Sequence, residues 1–258
     1  MTRKDYGPEV RAPRIQTDDG SYTFHHPGYG EPYHTLRGAE SEAEAKFIRP
    51  TRLREKAKQG PIRLLDIGFG LGINCRAAMA CASTHPLHID SLESELEALD
   101  LALEITPSDP LLLGLKADRV YKNVRLLHGD LRDTLRSLKG PYDIIFHDPF
   151  SPIKNTEAWT VEVFTYLKKL SAPHAMVATY SESAIVRGAM IEAGWHVGAS
   201  SSTGQHRGGT VAVIDPCDLE CPIDPETIST EPYRDPDLCW SGKEIRSKRE
   251  AVVRSSRS

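Results

Sequence analysis

The chain has 258 residues, 39% apolar and 26% charged, with a formal net charge of −4. That suits one α/β domain with extensions and excludes a global electrostatic draw for nucleic acid, so local patches would have to supply any RNA affinity. No apolar run approaches membrane-spanning length and the start, Met1-Thr2-Arg3-Lys4-Asp5-Tyr6, carries no apolar signal core, so a cytoplasmic protein without membrane partners is expected.

Residues 1 to about 38 are rich in Gly, Pro, Tyr and His without apolar periodicity, which predicts an irregular or β-hairpin lead-in. A helix is predicted over Ser41–Gln59 with Phe47 and Ile48 inward. Strands are predicted at Ile62–Ile67, Leu87–Leu92, Val124–His128, Tyr142–His147, Ala175–Tyr180 and Val211–Ile214. Between them lie helical segments at Ile73–Ser83, Glu95–Ile105, Leu111–Val120, Leu131–Leu138, Ala158–Leu170 and Glu182–Ala193. Strands alternating with helices imply right-handed crossovers and a Rossmann-like α/β fold: a mostly parallel, seven-stranded sheet with helices on both faces. The expected division is an extension over 1–59, the main domain over 60–215 and a tail with a basic helix over 216–258. Five scattered cysteines, Cys75, Cys81, Cys217, Cys221 and Cys239, favour free thiols, and no second pair at zinc-finger spacing accompanies Cys217-x-x-x-Cys221, so no metal is expected.

The ligand crevice of such a sheet lies outside the strand C-termini, where Asp66, Glu93, Asp130, Asp148 and Tyr180 all fall. The first strand breaks into Asp66-Ile67-Gly68-Phe69-Gly70-Leu71-Gly72-Ile73-Asn74. Its G-x-G-x-G pattern differs from the dinucleotide fingerprint G-x-G-x-x-G, so a pyrophosphate is not the natural guest. Asp66 beside the turn and Glu93, roughly twenty residues past the last glycine, fit S-adenosylmethionine (SAM), the second acid taking the ribose hydroxyls. Asp130 is a candidate for the adenine amine, or simply the cap of the next helix. The strand Tyr142–His147 ends in Asp148-Pro149-Phe150-Ser151-Pro152, where two prolines stiffen the loop around a carboxylate. Asp148 there suits an amine nucleophile, accepting its N–H and stabilising the ammonium that forms; the alternative is a turn or cap residue.

The run Asp148-Pro149-Phe150-Ser151-Pro152-Ile153-Lys154-Asn155-Thr156-Glu157-Ala158-Trp159 resembles the D-x-F-A/S-P-x-K-N-P-x-x-W signature of the MnmC-like tRNA methyltransferases. Gly68-Phe69-Gly70-Leu71-Gly72-Ile73-Asn74 is similar to that family's cofactor loop, and Ala178-Thr179-Tyr180 through Val186-Arg187 to Ala193-Gly194-Trp195 to a later segment. The resemblance implies methylation by SAM of the amine of 5-aminomethyl-(2-thio)uridine at the tRNA wobble position. It places catalysis at Asp148 and cofactor contacts at Gly68, Phe69, Gly70, Gly72, Asn74, Glu93, Asp130 and the adjacent Leu131. Bifunctional members carry a flavin-dependent oxidase domain, and this chain resembles the stand-alone methyltransferase form, expected to act as a monomer.

Two departures stand out: Thr156 replaces a usual proline, and Gly204-Gln205-His206-Arg207 carries His206 where a lysine is common. Substrate contacts are expected from Tyr33, His34, Phe150, Lys154, Asn155, Trp159, Tyr180 and Arg207, with aromatic faces flanking the uridine, although core packing accounts equally well for Trp159. Basic runs at Arg49–Arg63, Lys168–Lys169 and Lys243–Arg257 are candidates for tracking phosphates or are simply solvated faces. Two other readings fit parts of the pattern. One is a spermidine-synthase-like aminopropyltransferase acting on polyamines, against which Lys154-Asn155-x-x-x-Trp159 argues; the other is a non-catalytic SAM- and RNA-binding protein.

Overall fold

The computed structural model describes residues 14–82, 85–200 and 208–256. A short antiparallel hairpin, β1 (Arg14–Gln16) and β2 (Tyr22–Phe24), opens the chain. The main sheet contains β3 (Ile62–Ile67), β4 (Leu87–Glu93), β5 (Val120–Tyr121), β6 (Val124–His128), β7 (Tyr142–His147), β8 (Ser171–Thr179), β9 (His196–Ser200) and β10 (Gly209–Val213). Its order is β5-β6-β4-β3-β7-β8-β10-β9. β6, β4, β3, β7 and β8 run parallel, and antiparallel strands close both edges. The sheet has eight strands where seven are expected from sequence, because the two-residue β5 is too short to carry a periodic signal. β9 is likewise absent from the strands expected from sequence.

β3 and β7 are almost wholly buried, as helices on both faces require, which is why they read as continuous apolar runs. One face packs around Leu64, Ile89, Phe146 and Phe47, and the other around Leu65, Ile145, Phe164 and Trp159. The helices are α1 (Ala39–Ala43), α2 (Leu53–Gln59), α3 (Ile73–Met79), α4 (Glu97–Ile105), α5 (Pro110–Asp118), α6 (Leu131–Ser137), α7 (Val161–Lys169), α8 (Ala184–Glu192) and α9 (Gly242–Ser255).

The helix expected over 41–59 is instead broken. α1 runs into a π-helical turn at Glu44–Ile48, and the chain reverses at Arg52, whose φ of 52° is left-handed, before α2 begins. Pro50 has no N–H to continue a helical ladder, and Thr51 Oγ1 donates back to the Phe47 carbonyl at 2.6 Å. Phe47 and Ile48 nonetheless point inward, each 1% exposed. Similarly, the helix expected from Ala158 starts only at Val161. Thr160 caps it, its Oγ1 accepting from Val163 N, and residues 156–159 form a separate 3-10 turn. All five cysteines are free thiols.

Candidate active site

The chain runs from β3 outward through β4 to β6 and then returns to place β7 on the other side of β3, so the switch point of the sheet lies between β3 and β7. Two loops meet there. The Asp148 amide donates to the Ile67 carbonyl at 2.9 Å, and Gly68, with φ of 87°, comes so close that a Cβ on it would stand 2.5 Å from the Asp148 carbonyl oxygen. Only glycine fits that position, on conformational and on steric grounds. Above this seam opens a cavity of about 490 Å³.

Asp148 faces the cavity, and Asn74 Nδ2 in the first turn of α3 donates to its Oδ2 at 2.7 Å. Burial pushes the Asp148 carboxyl well above the usual carboxylate range, and the Glu42 and Asp66 carboxylates push the same way, while the Asn74 hydrogen bond and the Lys46 ammonium pull it down. The loop after it is fixed at three points. Glu31 accepts from Ser151 N at 3.0 Å and from Ser151 Oγ at 2.5 Å, Tyr180 Oη donates to the Pro149 carbonyl at 3.0 Å, and Trp159 Nε1 donates to the Phe150 carbonyl at 2.9 Å. Glu93 ends β4, its Oε2 accepting from Gly70 N at 2.8 Å and its Oε1 from Glu95 N at 3.0 Å; burial raises its pKa. Asp130 caps α6 and is gripped by Arg132, whose Nε and Nη2 donate to its two oxygens at 3.0 and 2.9 Å.

Of the residues singled out in the sequence, Tyr33, His34, Gly68, Gly70, Glu93, Asp130, Leu131, Asp148, Phe150, Asn155 and Tyr180 line this cavity. Others do not. Asp66 is fully buried beneath the turn, with Ser91 Oγ donating to its Oδ2 at 2.6 Å and Oδ1 without a partner; burial raises its pKa to about 7. Phe69 turns into the core, where its ring lies 2.8 Å from the Cβ that Gly72 lacks, so these two residues shape the turn from below. Asn74 addresses Asp148 rather than the cavity wall. Lys154 projects into solvent, and Trp159 is fully buried, edge-on to His147 and Tyr180, so it offers no face to a base. Arg207 and His206 lie outside the described residues.

Sequence reasoning missed Tyr29, Glu31, Glu42 and Arg132, which also line the cavity. Tyr29 and Glu31 come from the lead-in, where no periodicity marks them, and Glu42 from α1, where nothing in the helical pattern points to a site. The lining is strongly acidic: Glu31, Glu42, Glu93, Asp130, Asp148 and Glu157 face it with Arg132, already engaged by Asp130. Of the basic runs, Arg54 pairs with Glu44, Arg52 with Asp218, and Arg246 Nη1 donates to the Ile153 carbonyl at 2.9 Å. No helix among the described residues is long and apolar enough to cross a membrane.

An open parallel sheet with this order, a glycine turn after its central strand and an acid ending the neighbouring strand defines a SAM-dependent methyltransferase of Rossmann-like fold. The residues fit that cofactor, since the glycine cradle admits no Cβ at Gly68 and the carboxylate lining complements a sulfonium cation. Residues 107–215 match the S-adenosyl-L-methionine-dependent methyltransferase family. The crystal structure of MnmC2 from Aquifex aeolicus superposes with a TM-score of 0.76 at 31% identity, covering 92% of this chain and 83% of that one. The chain belongs to the MnmC2-like branch of the SAM-dependent methyltransferases. It is 32% identical over 213 residues to the tRNA 5-methylaminomethyl-2-thiouridine biosynthesis bifunctional protein MnmC of Burkholderia thailandensis, covering 72% of this chain but 32% of that protein. An uncharacterised protein of Methanocaldococcus jannaschii is 25% identical over 255 residues, 92% of this chain and 71% of that one. The chain thus spans about a third of the length of its bifunctional MnmC relative.

Proposed function

We propose that this enzyme transfers a methyl group to the amine of 5-aminomethyl-(2-thio)uridine at the tRNA wobble position, giving the methylaminomethyl base. The observation that carries this reading is Asp148: a half-buried carboxylate at the switch point, oriented by Asn74, facing an acidic cavity beside the glycine turn. The relative in Burkholderia thailandensis, a tRNA 5-methylaminomethyl-2-thiouridine biosynthesis protein, supports the same product.

SAM, when bound, supplies a strongly electrophilic methyl group, so the chain's task is to deliver an amine with a free lone pair. In this reading Glu93 takes the ribose hydroxyls and Asp130 with Leu131 the adenine, all three lining the cavity. An aminomethyl group arrives in water as an ammonium. The acidic lining draws that cation in, and Asp148, its basicity raised by burial, takes the proton and passes it to water, so that as a carboxylate again it accepts the N–H hydrogen bond that aims the neutral nitrogen. After transfer the same carboxylate faces the new ammonium and stabilises its charge. Asn74 holds Oδ2, which leaves Oδ1 for the substrate.

The test is methyl transfer from labelled SAM, at low salt, to tRNA carrying 5-aminomethyluridine, with carboxymethylaminomethyl-tRNA and putrescine as parallel acceptors. Label on aminomethyl-tRNA alone is the expected result. Label on putrescine alone would replace this reading with a polyamine enzyme.

A further inference from the structure

His26 is 2% exposed and uses both ring nitrogens. Its Nδ1 accepts from Gly28 N and Tyr29 N, both at 3.1 Å, so the proton sits on Nε2, which donates to Glu95 Oε2 at 2.9 Å. The turn is closed further by Gly30 N donating to the His26 carbonyl and His26 N to the Glu31 carbonyl, both at 2.8 Å. All of this holds one exposed turn in one shape, and what that turn presents is Tyr29. Its ring lies stacked on Phe150, centroids 4.4 Å apart and planes 25° from parallel. Phe150 follows Asp148 by two residues, and its loop is pinned by Glu31 and Trp159 as described.

Neither ring is fully buried, and both line the cavity. A rigidly held aromatic pair beside an open cleft is apolar surface that a planar ligand would cover. Its position separates the two possible planar guests. Asp130 and Leu131 follow β6, whereas Phe150 belongs to the β7 loop, on the other side of β3 and β4 and next to the reacting carboxylate.

We infer that the Tyr29–Phe150 pair is the stacking platform for the acceptor's nucleobase, holding an extruded pyrimidine so that its side-chain amine reaches Asp148. The inference rests on the tRNA reading above and assigns the base-holding role, expected from sequence of Tyr33, His34, Trp159 and Tyr180, to Phe150 and a lead-in residue that the sequence did not single out. Stacking serves here because every base has a π-face, and a fixed ring loses little freedom when covered.

The experiment is fluorescence of pyrrolocytidine placed at the wobble position of an anticodon stem-loop RNA, titrated with the full chain. Wild type quenches the probe, and Tyr29→Phe does the same. Tyr29→Ala and Tyr29→Leu lose the quenching and bind the RNA about 10-fold more weakly, while their SAM affinity stays within about two-fold of wild type. Tyr29→Leu keeps apolar bulk at the turn and so guards against a folding defect. Three results would overturn the inference: no quenching by wild type, unchanged quenching by both variants, or a loss of SAM affinity that tracks the loss of the ring. Methyl transfer is scored separately. A wild type that quenches but transfers nothing sinks the proposed reaction and keeps the platform, whereas one that methylates tRNA equally well with Tyr29→Leu sinks the platform alone.

Discussion

Asn74 Nδ2 donates to Asp148 Oδ2 at 2.7 Å, tying the helix that follows the glycine turn to the carboxylate that ends β7. Each loop of the switch point therefore positions the other. The bond favours the ionised carboxylate, against burial and the Glu42 and Asp66 charges that favour the acid; Lys46 acts in the same sense as Asn74. Removing it with Asn74→Ala raises the pKa of Asp148 further. The acid limb of kcat/KM for methyl transfer should then move to higher pH and kcat fall roughly 10-fold, with SAM affinity little changed. The pH–rate profile checks this, and a limb that stays in place would remove Asn74 from this role.

The three glycines of the turn are not equivalent. A Cβ on Gly68 would lie 2.5 Å from the Asp148 carbonyl oxygen, which is backbone and cannot step aside, whereas one on Gly70 would lie 3.4 Å from Tyr33 Cδ1. Gly68→Ala should therefore push the β3 and β7 loops apart, weakening SAM binding and costing about 2 kcal/mol or more of stability. Gly70→Ala meets only the strain of its φ of 52°, about 1 kcal/mol. Calorimetric titration with SAM and denaturant unfolding of both variants rank them, and equal losses would show that the turn is not seated as described.

The parallel strands and the gathering of acids at their C-terminal ends were legible in the sequence because both follow from local periodicity and one topological rule. What was not legible depends on register and on distant partners. Asp66 looks like a ligand-facing acid, but its register partner on β4 is Ser91, and that cross-strand hydroxyl claims it beneath the turn. Trp159 reads as a stacking ring near a substrate loop, yet a 3-10 turn swings it into the core, where its N–H finds the Phe150 carbonyl. Tyr29 and Glu31 reach the site from a lead-in with no periodic pattern and Glu42 from the first turns of a predicted helix, so only the folded chain brings them there.

Asp66 also sets a pH signature for the protein without ligand. Its pKa rises from 3.8 unfolded to about 7 folded, chiefly through burial, so folding favours the protonated acid. That contribution is full below about pH 4 and is lost as pH rises through about 7, with an ultimate penalty on the order of 2–4 kcal/mol. Asp66→Asn carries no charge to bury, and its amide oxygen still accepts from Ser91. The variant should gain on wild type steadily from pH 4 to pH 8 and be the more stable at pH 8. Thermal unfolding across that range reads the difference, and a gap independent of pH would contradict it.

The Arg132 guanidinium joins the tail to the Asp130 end of the cavity. Arg132, 4% exposed in its side chain, donates from Nη1 to Asp235 Oδ2 and to the Trp240 carbonyl, both at 2.8 Å, while its Nε and Nη2 hold Asp130. Asp235 is itself fully buried and accepts from the amides of Cys239 and Trp240 at 3.0 and 3.1 Å. Asp235→Ala therefore strips one counter-charge from a buried cation and leaves two amides without partners, which should cost about 3–5 kcal/mol. Asp235→Asn keeps an oxygen for those amides and should cost less. Because Arg132 would recentre on Asp130, the carboxylate facing the cavity, SAM affinity should fall several-fold in Asp235→Asn even where the fold survives. If unfolding shows the loss and SAM titration does not, the tail braces the domain without reaching the cofactor.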